Sequence, residues 1–232
     1  MQQLHPDLWT VDAPLRFLGL EVGARMTVVR LPDARLLLHS PITKTSELVR
    51  SVEALGAVAC IVAPNKLHHL YVAEWQRAFP DASLYVAPGL ETKRKDLAID
   101  GILGDAPEPG WADVLDQVLL AGIPFTNEVV FFHRPSATLI LSDLAFNFGE
   151  HSPPFTRLVA RLGGTLGRVS PTALERLLVR DRAAFRRCLD RILAWPFERI
   201  VVAHGDVAET GGREELREGY AWLLGDGPGA ST

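Results

Sequence analysis

The sequence has 232 residues, of which 47% are hydrophobic, so it is long enough to form a substantial core as one large α/β domain or two small ones. Its formal net charge of −4 provides no basic surface of the kind that neutralises phosphates, which argues against nucleic acid as a partner. The N-terminal residues lack a basic and apolar signal, and no apolar run approaches the roughly 20 residues that span a bilayer, so we expect a cytoplasmic protein that does not enter a membrane.

The first part of the chain predicts three short strands. Leu8–Val11, Met26–Leu31 and Arg35–His39 are rich in β-branched and large apolar residues. Pro32 and Asp33 separate the second run from the third. These two residues are typical of a turn, so the second and third strands are predicted to form a hairpin.

Helices and strands alternate in the next part of the chain. Thr45–Leu55 and Leu70–Phe79 have apolar residues at helical spacing, and each is followed by a strand-like run, Ala57–Ala63 and Ser83–Ala87. The first of these runs is continuously apolar, which is typical of a strand covered on both faces. The order β-β-α-β-α-β predicts parallel strands covered by helices.

The second half begins again with strands. The predicted strands are Gln117–Leu120, Val129–His133, Thr138–Ser142 and Arg199–Ala203, and the predicted helices are Asp181–Trp195 and Arg213–Leu224. A Gly- and Pro-rich stretch, Phe146–Ser170, lies between them, and its part around Gly163–Gly167 is long enough to cover an active site. The pattern suggests two sheets packed face to face with helices outside, in one domain over residues 1–225. Residues 226–232 are predicted to form a flexible tail.

The two cysteines are predicted to be structural. Cys60 lies in an apolar strand-like run, and Cys188 lies on the apolar face of a predicted helix. Buried, unpaired cysteines fit a reducing compartment. No His or second Cys lies at ligand spacing from either, so a Cys-based zinc site is not expected.

Ionisable side chains follow three of the predicted apolar strands, at the edge where α/β folds usually present their chemistry. His68 and His69 come after the first of these strands, Asp143 after the second and His204 after the third. Three imidazoles and one carboxylate suit Zn²⁺ or iron. A single His at a strand end is more often a structural residue, but the four together predict one shared metal site.

Other polar residues and motifs are less informative. His39 also ends a predicted strand and could lie behind the metal ligands, while Asn65, Glu128 and Asp206 could orient ligands through hydrogen bonds. The sequence contains no Gly-x-Gly-x-x-Gly, no Gly-Lys-Ser/Thr phosphate loop and no Gly-x-Ser-x-Gly elbow. Nucleotide binding and serine-hydrolase chemistry are therefore not supported.

The order of these segments resembles the metallo-β-lactamase superfamily over nearly the whole chain, from about Leu8 to Leu224. The runs HSPI, APNKLHHLYVAEW and AHGD are similar to an uncharacterised subgroup of that superfamily, a domain of unknown function. The resemblance implies an α/β fold, the αββα four-layer sandwich. It also implies hydrolase chemistry that depends on bound metal.

The metal-binding motifs of the superfamily are only half present. Against its signature His-x-His-x-Asp-His, Pro64 and Lys66 stand at the first two histidines, and Pro124 stands at the histidine of its Gly-His-Thr motif. The resemblance therefore implies that the first metal position is absent. Residues able to bind remain at the four positions of the second metal: His68, His69, Asp143 and His204. One divalent ion, Zn or Fe, is implied.

Two functions remain open at this stage. The first is a mononuclear metal-dependent hydrolase that acts on an ester, thioester, amide or phosphoester of an unknown small molecule. The second is a non-catalytic binding or scaffold domain with a closed or degenerate site, because four protein ligands describe a structural zinc, whereas a catalytic zinc keeps a position for water. The sequence does not indicate an oligomeric state.

Lys66 and Asp143 are predicted to be catalytic residues of the hydrolase. By resemblance, Lys66 stands beside Asp143, so its ammonium is expected to replace the lost first cation and to keep the carboxylate ionised. The alternative is a solvated lysine on a loop.

Overall fold

A computed structural model describes residues 1–225, and the predicted tail over 226–232 lies outside these described residues. The strands are β1 (Gln2–His5), β2 (Leu8–Ala13), β3 (Arg16–Phe17), β4 (Leu20–Glu21), β5 (Ala24–Arg30), β6 (Leu36–His39), β7 (Val58–Ala63), β8 (Ser83–Val86), β9 (Gly101–Ile102), β10 (Leu115–Leu119), β11 (Val129–His133), β12 (Thr138–Ile140) and β13 (Arg199–Val201). The helices are α1 (Ser46–Glu53), α2 (Val72–Ala78), α3 (Leu90–Lys93), α4 (Pro154–Gly163), α5 (Ala173–Leu178), α6 (Arg182–Leu193), α7 (Gly212–Gly219) and α8 (Ala221–Leu224).

The strands form two main sheets. The larger sheet has the order β1-β2-β5-β6-β7-β8-β9, the smaller has the order β10-β11-β12-β13, and β3 and β4 form a separate hairpin. The predicted β5–β6 hairpin is confirmed, and β6, β7, β8 and β9 are parallel as the alternation with helices predicted. In the smaller sheet β12 and β13 are also parallel. The carboxyl ends of these parallel strands carry the candidate site.

Buried apolar clusters define four layers. Val52 of α1 and Trp75 of α2 pack on the outer face of the larger sheet. Val62 of β7 and Phe131 of β11 belong to the cluster between the two sheets. Leu189 of α6 belongs to the cluster that covers the outer face of the smaller sheet. The layer order is therefore α-β-β-α, the four-layer sandwich that the resemblance implies.

The stretch interpreted from sequence as a long loop contains a helix. Helix α4 begins at Pro154, where proline is tolerated because the first N–H groups of a helix have no intrahelical partner. It ends at Gly164, which adopts a left-handed conformation with φ +78°. The Pro and Gly residues that suggested a loop thus stand at the two ends of a helix.

The last predicted helix is divided in two. Tyr220 separates α7 from α8 with a backbone conformation outside the helical region, and its hydroxyl donates to the carbonyl oxygen of Leu144 at 2.6 Å. This tyrosine is fully buried in the cluster under the smaller sheet. A tertiary hydrogen bond therefore interrupts a segment whose local pattern favours one continuous helix.

Two further sequence expectations can be compared with the described residues. No helix in residues 1–225 is both long and apolar enough to cross a membrane. Cys60 and Cys188 are both buried and unpaired, as predicted. Burial raises the pKa of the Cys60 thiol to about 11, which makes it a poor nucleophile.

Candidate metal centre

Three of the predicted ligands converge where the parallel strands end. His68 follows β7, Asp143 follows β12 and His204 follows β13, and one ligand atom from each lies within 4.8 Å of the others. The Nε2 atoms of His68 and His204 are 3.5 and 3.6 Å from Oδ1 of Asp143. These distances exceed the roughly 2.7–3.2 Å of a direct N–H···O hydrogen bond. They are close to the ~3.3 Å expected between ligand atoms around a tetrahedral zinc ion.

The backbone orients His204. Its Nδ1 donates to the carbonyl oxygen of Gly23 at 2.7 Å, so the lone pair of a neutral ring lies on Nε2, the atom that faces Asp143. Gly205 follows with φ +100°, and a side chain there would overlap the carbonyl oxygen of Asn147. Glycine is therefore required after His204 for the chain to turn this close to its neighbour.

A serine that the sequence interpretation gave no role orients His68. Oγ of Ser40 lies 2.6 Å from Nδ1 of His68. Ser40 has φ +54°, a left-handed conformation that is uncommon for a residue other than glycine and costs energy that the surrounding structure must offset. When Nδ1 donates to this hydroxyl, Nε2 of His68 is free to bind a metal. The available signal was the position of Ser40, directly after β6.

Asn65 holds the Asp143 carboxylate. Its Nδ2 donates to Oδ2 of Asp143 at 2.6 Å, while its own Oδ1 accepts the backbone N–H groups of Leu67 and His68, both at 2.8 Å. Asn65 is completely buried. One amide therefore fixes both the carboxylate and the loop that presents His68, through hydrogen bonds of the kind expected of Asn65.

Glu128 holds the segment that carries Asp143. Its two carboxyl oxygens accept the backbone N–H groups of Ser142 and Asp143 at 2.7 and 2.8 Å, which is the kind of hydrogen bonding expected of it. For Asp206, the hydrogen bonds in residues 1–225 are those of its backbone with Asn147, and none joins its side chain to His68, Asp143 or His204. These contacts leave Oδ1 of Asp143 directed at the two imidazoles.

Two buried carboxyl groups have opposite pKa shifts. Burial alone would raise the pKa of Asp143, but the imidazoles of His68 and His204 bring it well below its usual range. Burial, and then the negative charge of Asp143, raise the pKa of Glu128 above its usual range. Asp143 is therefore the anion of the site, as a ligand of a divalent cation must be.

The structure does not bring His69 into the three-residue cluster. Nη1 of Arg94 lies 2.8 Å from Nδ1 of His69 and donates to its backbone oxygen at 2.9 Å. Since a guanidinium can only donate, Nδ1 accepts and the proton of the neutral ring lies on Nε2. Burial, and then the charges of Lys93 and Arg94, lower the pKa of His69 to about 4. Neither nitrogen has a free lone pair in this arrangement, so the four-ligand expectation becomes a three-ligand one.

Lys66 is not placed where the resemblance implied. Its Nζ donates to the backbone oxygen of Pro124 at 2.5 Å, and its backbone N–H pairs with Thr126. Within residues 1–225, the ion pairs of Asp143 are with His68 and His204 and not with Lys66. Lys66 and Pro124, which stand at two ligand positions of the absent first metal, thus form a hydrogen bond with each other. Asp143 is contacted by the side-chain amide of Asn65 and not by the ammonium group of Lys66.

His39 lies behind the cluster as a buried ring. It makes an edge-to-face contact with Phe131, with 5.4 Å between ring centroids, and its Nε2 has no hydrogen-bond partner in the described part of the chain. Burial, and then the charge of His68, lower the pKa of His39 to about 3. His39 is thus a neutral packing residue.

The cluster opens onto a cavity of about 680 Å³. His68, His69, Asp143 and His204 all contribute to its lining, and most of the remaining lining residues are apolar. A volume of this size lies within the range of about 300–1,000 Å³ that is usual for sites that bind small molecules. A purely structural metal site would not require it.

Sequence comparison identifies one family. A family model described as a domain of unknown function, DUF4336, matches residues 6–162. No curated protein matches the chain. The match covers more than half of the 232 residues and runs from β2 into α4, so it includes all of the larger sheet except β1 and three strands of the smaller sheet.

Structural comparison identifies the fold. The chain is similar to a metallo-β-lactamase from Pontibacter korlensis, with 12% identity, a TM-score of 0.65, and coverage of 97% of this chain and 98% of that one. It is also similar to the metallo-β-lactamase FIM-1 from Pseudomonas aeruginosa in its mono-zinc form, with 14% identity, a TM-score of 0.65, and coverage of 97% and 94%. A metallo-β-lactamase family protein from Thermus thermophilus matches with 14% identity, a TM-score of 0.61, and coverage of 97% and 80%. At these identities the likeness concerns the fold.

Proposed function

The chain belongs to the DUF4336 family and has the metallo-β-lactamase fold, and we propose that it is a metal-dependent hydrolase with a single metal position. Because many functions share one fold, the proposal depends on the site rather than on the likeness. The observation that carries it is the geometry of His68, Asp143 and His204, whose ligand atoms lie within 4.8 Å of one another on the wall of an open cavity.

The donor atoms of this cluster fit a small divalent ion such as Zn²⁺ or Fe²⁺. His68 and His204 would bind through Nε2 and Asp143 through Oδ1, since their other polar atoms are engaged by Ser40, by the backbone at Gly23 and by Asn65. Such hydrogen bonds from behind fix ligand orientation and tautomer. Three protein ligands leave a position for water or substrate, as in catalytic zinc sites, whereas a fourth from His69 would have favoured a closed one.

The chemistry of the site follows from these parts. A divalent ion, if held by His68, Asp143 and His204, would supply Lewis acidity for a carbonyl or phosphoryl oxygen and for a water nucleophile near neutral pH. The chain itself keeps Asp143 ionised, directs Nε2 of both imidazoles at the same point and surrounds the reacting group with an apolar cavity. An apolar surround strengthens electrostatic interactions at the reacting centre.

The first experiment is metal analysis of the protein purified without added metal or chelator, together with His204→Ala and His69→Ala variants. We expect about one equivalent per chain in the wild type, loss of the ion in His204→Ala, and retention in His69→Ala, the matched control for the three-ligand site. Losing one of three ligands weakens metal binding by at least about 100-fold.

The second experiment measures hydrolysis of ester, thioester, amide and phosphoester substrates by the same three proteins. Hydrolysis by the wild type and by His69→Ala, with none by His204→Ala, supports the proposal. A protein that contains no metal and hydrolyses none of them would instead be the non-catalytic domain that remained open from the sequence.

A further inference from the structure

Part of the cavity wall is formed by elements that lie outside the sandwich. Phe17 and Leu18 come from the β3–β4 hairpin, Val159 and Ala160 from α4, and Leu174 from α5. We call β3, β4, α4 and α5 together the apolar wall. Thr156 of α4 ties two of these elements together, because its hydroxyl donates to the backbone oxygen of Glu21 in β4 at 3.0 Å.

Exposed apolar side chains are concentrated at this cavity. Of the twelve large apolar residues that are exposed in the described chain, six line it: Phe17, Leu18, Leu70, Phe125, Val159 and Leu174. Four more lie on α4 and α5: Phe155, Leu158, Leu162 and Leu177. Scattered exposed apolar residues need no explanation, but a concentrated patch marks a binding surface.

The tip of the hairpin shows that this exposure is not a requirement of folding. Leu18 is 84% exposed and has φ +49°, and Gly19 follows with φ +82°. Positive φ at two successive turn residues favours Asn, Asp or Gly, and a leucine there is strained. A leucine in this place buries almost no surface within the chain, so its apolar side chain is available to a ligand.

The threonine hydroxyls of the lining are already engaged within the protein. The hydroxyls of its four threonines, Thr126, Thr156, Thr165 and Thr172, each donate to an acceptor in the chain. A peptide entering between these walls would lose the hydration of its amide groups without gaining donors from the threonines, at a cost of about 1–3 kcal/mol for each unsatisfied group. An alkyl chain has no such groups, so these walls favour it.

We propose that the cavity binds the apolar chain of a long-chain acyl compound and places its carbonyl group at His68, Asp143 and His204. The inference rests on the proposed function and names its substrate class as long-chain acyl esters, thioesters or amides. Hydrolysis would break the bond from the acyl carbon to oxygen, sulfur or nitrogen and form a bond from that carbon to the oxygen of water. One proton of water passes to the leaving group, and the products are the fatty acid and an alcohol, thiol or amine.

Binding is tested with a fluorescent long-chain fatty acid added to the full chain, with palmitate and butyrate as competitors. We expect saturable binding that palmitate displaces and butyrate does not. Leu18→Asp combined with Leu174→Asp should weaken binding by about tenfold or more, because both carboxylates would lie beside the alkyl chain. Both positions are exposed, so folding should be unaffected. Ile102→Asp, at an exposed position in β9 outside the lining, is the matched control and should bind normally.

Several results would overturn the inference: displacement by butyrate as effective as by palmitate, equal binding by all variants, or binding to phosphatidylcholine vesicles without binding to monomeric fatty acid. The inference would also be overturned if the wild type is a dimer that binds no fatty acid and that the Leu18→Asp and Leu174→Asp changes dissociate. A second copy of the chain would then cover the apolar wall.

The His204→Ala variant separates this inference from the proposed function. It should hydrolyse nothing but still prefer palmitate to butyrate, because the alkyl chain contacts the apolar wall and not His204. Fatty acid binding by the wild type without hydrolysis of any acyl substrate would overturn the proposed function alone. Metal-dependent hydrolysis of short or polar substrates, with no fatty acid binding, would overturn the inference alone.

Discussion

The metal cluster and the apolar wall are built in opposite ways. In the cluster, His68, Asp143 and His204 are largely buried, and each is oriented by a hydrogen bond from elsewhere in the chain. In the apolar wall, side chains such as Leu18 and Leu174 are exposed. The comparison teaches that the strand ends of the two sheets position the candidate metal ligands. The elements outside the sandwich determine which molecules can bind beside those ligands. Four predictions test this division, from the largest expected effect to the smallest.

Gly205→Ala should be the most damaging change in the cluster region. A methyl group there would overlap the Asn147 carbonyl oxygen, and φ +100° is unfavourable for alanine, so we expect a loss of about 3 kcal/mol or more in the free energy of unfolding. Urea denaturation measures it. Gly110→Ala is the matched control, because a methyl group at Gly110 would have no atom within 4 Å. Equal stabilities of the two variants would show that the tight turn after His204 is not required.

Asn65→Ala should affect both stability and metal binding. It leaves Oδ2 of Asp143 and two backbone N–H groups without their partner, which we expect to lower the free energy of unfolding by about 2–3 kcal/mol and metal affinity by about 10–100-fold. The comparison is Lys66→Ala, which should change metal affinity little because its Nζ bonds to Pro124. If the lysine variant binds metal as weakly as the asparagine variant, the ammonium acts on Asp143 after all.

Glu175 lies where the two regions meet, since it belongs to α5 and lines the cavity beside the cluster. Burial raises its pKa from 4.5 to about 7. The folded protein therefore holds this proton more tightly than the unfolded chain does. Below pH 4.5 Glu175 is protonated in both states and the free energy of unfolding is unaffected. Between pH 4.5 and about 7 the buried carboxyl group lowers the free energy of unfolding progressively, and above about pH 7 the loss is constant.

Glu175→Gln should therefore leave stability unchanged near pH 4.5 and raise it at pH 8, by on the order of 2 kcal/mol after allowance for partial exposure. Melting temperatures of the metal-free proteins at the two pH values measure this difference. Glu218→Gln, at an exposed position of α7, is the control. If the wild type and Glu175→Gln melt at the same temperature at pH 8, the pKa of Glu175 is not raised.

Leu18→Ser should have the smallest effect on folding. An exposed substitution changes the free energy of unfolding by no more than about 0.5 kcal/mol, whereas Leu37→Ala, in the cluster between the sheets, should cost about 2–5 kcal/mol. Urea denaturation compares the two. A large loss in Leu18→Ser would mean that the apolar wall serves the fold and is not a surface kept for a ligand.

Some of the site could be predicted from sequence because its signals are local. His68, Asp143 and His204 each follow an apolar run that forms a strand, and parallel strands bring their carboxyl ends to one edge. The same local signals located most strands and helices to within a few residues. The apolar wall escaped prediction, because its helices are short and the Pro and Gly residues of α4 also fit a loop.

The sequence by itself determined the alternation of strands and helices and the residue types available to a metal, since both depend on periodicity and on order along the chain. Only the tertiary structure decided which of those residues meet. His68 and His69 are neighbours in sequence, yet one faces Asp143 and the other is engaged by Arg94, 25 residues away. Side-chain direction in a loop depends on partners from distant segments, and no local pattern specifies them.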